Sequence, residues 1–173
     1  LFFHRVTVGQ YPLCEYPPYS LALAAKMVDV VRHHQLDLLH VHYAVPNAIS
    51  AILAREILLP DPIRVITTLH GTDVTLVGND PSYLETTRLA IQRSDCVTAV
   101  SEALREATLE QLGNGREIRV LPNFIDPQRY LDVKERGSAA AWGEEGERII
   151  VHISNFRRVK RVLDVAKRSE ERR

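Results

Sequence analysis

Three short polar strings carry residue types that could hold or transform a small anionic substrate. The first is His42-Tyr43-Ala44-Val45-Pro46-Asn47. The second is Thr67-Thr68-Leu69-His70-Gly71-Thr72-Asp73, and the third is Ser154-Asn155-Phe156-Arg157-Arg158-Val159-Lys160-Arg161. In the second string His70 is the candidate for chemistry, because an imidazole can give or accept a hydrogen bond near neutral pH. Gly71 beside it lets a ligand or a backbone segment come close. The same string also reads as a turn whose His, Thr and Asp side chains satisfy backbone groups. In the third string four cations fall within five residues: Arg157, Arg158, Lys160 and Arg161. Guanidinium forks and an ammonium point charge suit a diphosphate, and a solvated basic turn is the plainer alternative.

Other candidates are narrower. His40 and His42, two residues apart on a strand, share one face, yet a zinc site would need further ligands and none is evident. A pair of hydrogen-bonded histidines at a strand end is the alternative. Arg88, in the helical string Tyr83-Leu84-Glu85-Thr86-Thr87-Arg88, could meet an acceptor carboxylate, and a surface pair with Glu85 explains it more simply. No GxGxxG, Walker A loop, GxSxG elbow or HExxH occurs, which counts against dehydrogenases, P-loop enzymes, α/β-hydrolases and zincins.

These strings need a scaffold, and the chain supplies one in alternation. Residues 36–42, 63–69, 95–100, 117–121 and 148–153 are short, largely apolar and rich in β-branched side chains, which suits parallel strands covered on both faces. Helical segments lie between them. Ser20 is the expected cap of a helix reaching His34, with Leu21, Ala24, Val28 and Val31 on one stripe. Asp80-Pro81 reads as a cap followed by proline in the first turn. Ser101 opens another helix that Gly113-Asn114-Gly115 closes. The alternation predicts a doubly wound α/β sheet, in which ligands gather beyond the carboxyl ends of the strands, where all three polar strings sit. Residues 131–147, charged and rich in glycine and alanine, break the rhythm. They divide a first domain over 1–130 from the opening of a second over 148–173.

Bulk properties exclude several classes. Lys plus Arg and Asp plus Glu each total 22 of 173 residues, so no global field draws in nucleic acid or an anionic membrane. The basic turn lacks the aromatic interleaving of a single-strand nucleic-acid site. The longest apolar runs are strand-sized, which predicts no membrane span. Cys14 and Cys96 form no CxxC pair, which suggests reduced thiols and a cytoplasmic protein.

The strings LDLLHVHYAVPNA, TTLHGTD, SDCVTAVSEAL, LPNFID and HISNFRRVKR, in this order, resemble retaining nucleotide-sugar glycosyltransferases of the family 4 type. Within that type they resemble the malate-glycosylating synthases of bacillithiol biosynthesis. The likeness runs from about residue 4 to about residue 165. It departs from the wider type in the third string, where Ser154-Asn155 stands in place of Gly-Arg, and this shifts the diphosphate role toward Lys160 and Arg157 or Arg158. The resemblance implies a GT-B fold of two Rossmann-like domains facing a cleft. It implies transfer of N-acetylglucosamine from UDP-GlcNAc to L-malate with retention at the anomeric carbon, and no cofactor or obligatory metal. On this chain it makes His70 the catalytic candidate and Tyr43, Thr68, Arg88 and Asn123 acceptor-side candidates. Asn155, Arg157, Arg158 and Lys160 become the candidates for the donor diphosphate. It also implies a Gly-rich loop before residue 1 and paired glutamates after residue 173, so the ends read as internal and the 173 residues alone are expected to be inactive. Two alternatives stand beside it: a related transferase with a sugar or inositol phosphate acceptor, and a noncatalytic nucleotide- or sugar-binding Rossmann module.

Overall fold

Four of the apolar runs pair into a parallel sheet in the computed structural model, which describes residues 1–10, 15–75, 78, 80–112, 115–131, 142 and 149–170. The strands are β1 Leu38–His42, β2 Arg64–Leu69, β3 Cys96–Ala99 and β4 Ile118–Val120, in the order β1-β2-β3-β4. The register sets His42 opposite Thr68, Thr68 opposite Thr98, and Ala99 opposite Val120. Val65, Thr67, Leu69, Val97 and Ala99 are buried on one face, and Thr68 and Thr98 are buried on the other. The two central strands are therefore covered on both faces at their carboxyl ends, as the apolar runs predict. Burying each Val or Leu here stabilises the fold by about 1.5–3 kcal/mol. Strand β1 is an edge, and its Leu38, His40 and His42 are exposed.

Helices α1 Tyr19–His34, α2 Ile49–Ile57, α3 Thr72–Thr75, α4 Leu84–Arg93 and α5 Glu102–Leu112 link the strands. Fully buried Ala48, Ala51 and Ala54 in and before α2 let its backbone lie close to its neighbours α1 and α4. Helix α5 begins as expected, with Ser101 Oγ accepting the Leu104 N–H at 3.2 Å.

Three expectations for the helices change. Helix α1 starts one residue earlier than its supposed cap, so Ser20 lies inside it and no side chain caps the end. Leu21 is exposed, and the buried stripe is Ala24, Val28 and Val31. Asp80 does not cap α4 directly. Its carboxylate accepts the Ser82 N–H at 2.8 Å, closing a turn over 80–83 that delays the helix to Leu84.

By its internal contacts the chain falls into two units, Leu1–Asn123 and Phe124–Arg173. The second holds the short helix α6 Gln128–Leu131, a single turn at Arg158–Lys160 and helix α7 Val162–Glu170. Most of the expected linker, 132–141 and 143–147, lies outside the described residues. So does residue 148. The expected strand at 148–153 is not formed over 149–153, where Ile150, Val151 and Ile153 are exposed. A strand exists only through a ladder with a neighbour, and no strand lies beside this segment among the described residues of its unit.

Candidate functional site

The parallel register brings the ends of β1 and β2 side by side, and the Tyr43 N–H donating to Thr68 O at 2.9 Å carries the ladder one step further. Beyond that point the two loops are joined through one carboxylate. Asp73, 1% exposed, accepts the His70 N–H at 3.1 Å and the Gly71 N–H at 2.9 Å on Oδ1. On Oδ2 it accepts the Ala44 N–H at 3.1 Å. A side chain 29 residues away in sequence thus satisfies the amide at which the first loop leaves the sheet.

Two residues take backbone conformations that support this crossing. Gly71 has φ 109°, a region closed to most side chains, while the space where its Cβ would stand is open. The glycine is therefore required for its backbone, and the space in front of it is clear. Tyr43 has φ 74° and ψ 133°, a conformation that costs a non-glycine residue about 1–3 kcal/mol. Strain of this kind persists where the surroundings fix the backbone, as the Thr68 and Asp73 bonds do on either side.

The side chains at this corner form a continuous set. His70 Nε2 lies 2.8 Å from His42 Nδ1. The His70 ring centroid lies 5.0 Å from that of His42 and 5.0 Å from that of Tyr43. His40 stacks on His42 at 4.9 Å, and its Nε2 lies 2.8 Å from Thr68 Oγ1. Thr68 Oγ1 in turn lies 2.7 Å from Thr98 Oγ1. Both strand histidines are hydrogen-bonded, and among the described residues no group of three or more His, Cys, Asp or Glu could hold a metal. Of the residues singled out in the sequence, His40, His42, Tyr43, Thr68 and His70 are brought together. Asn123 lies exposed, three residues beyond the end of β4. Arg88 is on α4, paired with Glu85 at 2.7 Å. The sequence did not single out Asp73 as the junction of the loops or His42 as the partner of His70.

The His40 imidazole is held below its ordinary protonation range, chiefly because its ring, on an otherwise exposed residue, loses part of its water at the part-buried Thr68 contact, and then by the neighbouring His42. The unfolded chain binds a proton at this site more readily than the folded one. The stability that follows is complete above about pH 6.5 and is lost as pH falls through the lowered value. Melting temperature should therefore drop as pH falls below about 6.5, and His40→Gln should flatten part of that drop. Thermal melts of both proteins across the range are the check, and identical slopes would show that His40 does not contribute to the pH dependence.

In the second unit, Asn155, Arg157, Arg158 and Lys160 are all exposed around the single turn. Ser154 Oγ accepts the Phe156 N–H at 3.0 Å, and Arg157 O accepts the Lys160 N–H at 2.8 Å. Arg161 pairs with Asp164 at the start of α7, so three of the four cations remain without an acidic partner among the described residues. In the first unit a groove of about 920 Å³ opens at the opposite end of the sheet, lined by Leu38, Arg64 and Cys96 at the strand starts. It is remote from the histidines, at the end where parallel sheets do not hold their ligands. Cys96 is a free thiol, and Cys14 lies outside the described residues. No helix among the described residues is long and apolar enough to cross a membrane.

A sequence model of the family described as Glycosyltransferase Family 4 matches residues 2–129. Over 95% of its length the chain is 48% identical to the N-acetyl-alpha-D-glucosaminyl L-malate synthase of Bacillus anthracis, of which it covers 43%. Over 97% of its length it is 25% identical to the "Putative teichuronic acid biosynthesis glycosyltransferase TuaC" of Bacillus subtilis (strain 168), again covering 43%. The chain thus spans less than half the length of these curated relatives.

Proposed function

Because the chain belongs to glycosyltransferase family 4, we propose that the protein carrying it transfers N-acetylglucosamine from UDP-GlcNAc to the hydroxyl of L-malate, with retention at the anomeric carbon. The observation that carries this reading is the kinship, over nearly the whole chain, with a protein named as a synthase of that glycosyl malate. The arrangement of the first unit supports it. Tyr43, Thr68 and His70 stand together at the carboxyl ends of two parallel strands, in front of an open glycine. On this reading 1–130 is the acceptor domain, with Asn123 and Arg88 as further acceptor contacts, 131–147 is a linker, and 148–173 opens the donor domain. The protein works in the cytoplasm without a cofactor, at the first step of bacillithiol biosynthesis.

UDP departs carrying negative charge, and with no metal the protein's own groups must neutralise it. Arg157, Arg158 and Lys160 bring cations, with Asn155 beside them, and the start of α7 adds backbone N–H donors. Loss of one charge-assisted hydrogen bond costs about 1.5–3 kcal/mol. In the full-length protein Lys160→Ala should therefore weaken UDP binding about tenfold or more while leaving malate binding nearly unchanged. Calorimetric titration of UDP and of malate into both proteins tests this. Equal UDP affinities would return the basic turn to a solvated surface.

A further inference from the structure

We infer that His42 is a positioning residue for His70, fixing the ring so that Nδ1 is the nitrogen His70 presents to a ligand. His70 is held at two points. Its backbone N–H is fixed by Asp73, and its ring by the 2.8 Å contact from Nε2 to His42 Nδ1. One of these two nitrogens carries the hydrogen and the other accepts it, so the pair shares a single proton along the contact. That bond occupies Nε2 of His70. Among the described residues Nδ1 has no partner, and the Tyr43 ring at 5.0 Å limits how far the imidazole can tilt.

His42 is itself fixed. Its carbonyl accepts the Asn47 side-chain N–H at 2.8 Å, and its ring stacks on His40 at 4.9 Å with the planes 30° apart. His40 is anchored to Thr68, and Thr68 to Thr98. The chain Thr98, Thr68, His40, His42 therefore runs from the buried sheet to the His70 ring. A side chain that must hold a reacting group needs its own rotamer fixed in this way, because a small misplacement there can cost orders of magnitude in rate.

This inference rests on the functional reading above, and its test separates the two. In the full-length protein, His42→Phe keeps a ring between His40 and His70 and removes the nitrogen. His42→Asn keeps a short polar group near the position of Nδ1. With UDP-GlcNAc and malate, His42→Phe should lower kcat about tenfold with UDP affinity by calorimetry unchanged, and His42→Asn should recover most of the loss. Nitrogen NMR supplies the readout that does not depend on turnover. The wild type should show a coupling across the hydrogen bond between the His42 and His70 ring nitrogens, and the His70 resonances should move toward those of an unrestrained imidazole in His42→Phe. A wild-type protein without malate transfer would sink the functional reading and leave the NMR test of the pair standing. Absence of the coupling, or wild-type kcat in His42→Phe, would overturn the positioning role.

Discussion

Replacing Asp73 by alanine in the full-length protein is expected to cost about 2–5 kcal/mol of stability. The amides of Ala44, His70 and Gly71 should also exchange with solvent far faster. All three donate to the one carboxylate, which is 1% exposed. Removing it leaves buried or half-buried donors without an acceptor, and that desolvation cost outweighs the modest net worth of a hydrogen bond. Asp73→Asn should give an intermediate loss. An amide keeps one acceptor oxygen and turns an NH₂ toward the other side, so it can serve Ala44 or the His70–Gly71 pair but not both. Urea unfolding and amide hydrogen exchange measure the two effects. Wild-type exchange at these three amides in Asp73→Ala would show that the loops are held by something else.

Replacing His70 by alanine should lower turnover about 100-fold or more while UDP affinity changes little. The ring stands beyond the end of β2, before a glycine with open space in front of it, and is set by His42 and Tyr43. On the proposed function it would there hydrogen-bond the donor sugar or face the positive charge that develops as UDP leaves. A contact made mainly in the transition state appears in kcat rather than in ground-state affinity. Steady-state kinetics with malate, alongside UDP titration, separates the two. Near-normal turnover in His70→Ala would reduce the residue to its hydrogen bond with His42.

What was legible in the sequence followed from short-range chemistry. The four strands of the sheet could be read because each lies in a short, largely apolar run bounded by polar residues, and α5 because Ser101 stands where a cap must. The Glu85–Arg88 pair needed only helical spacing. The strand at 148–153 failed because pairing depends on a neighbour that composition does not specify. The start of α4 was misplaced because Asp80 can close a turn as readily as cap a helix. In the candidate site, the residues of each loop were visible but not their connections. The bonds from Asp73 to Ala44 and from His42 to His70 join positions 29 and 28 residues apart. They exist only once β1 and β2 lie in register. The spacing of His40 and His42 on one face and of Asp73 three residues after His70 was the only local trace of them.

The most direct measurement is the product formed when the full-length protein is given UDP-GlcNAc and L-malate. The proposed transfer predicts release of UDP matched one to one by a glycosyl malate, with the anomeric configuration of the donor retained in its proton NMR spectrum. UDP release without a malate adduct, an inverted product, or transfer only to a sugar or inositol phosphate would contradict it.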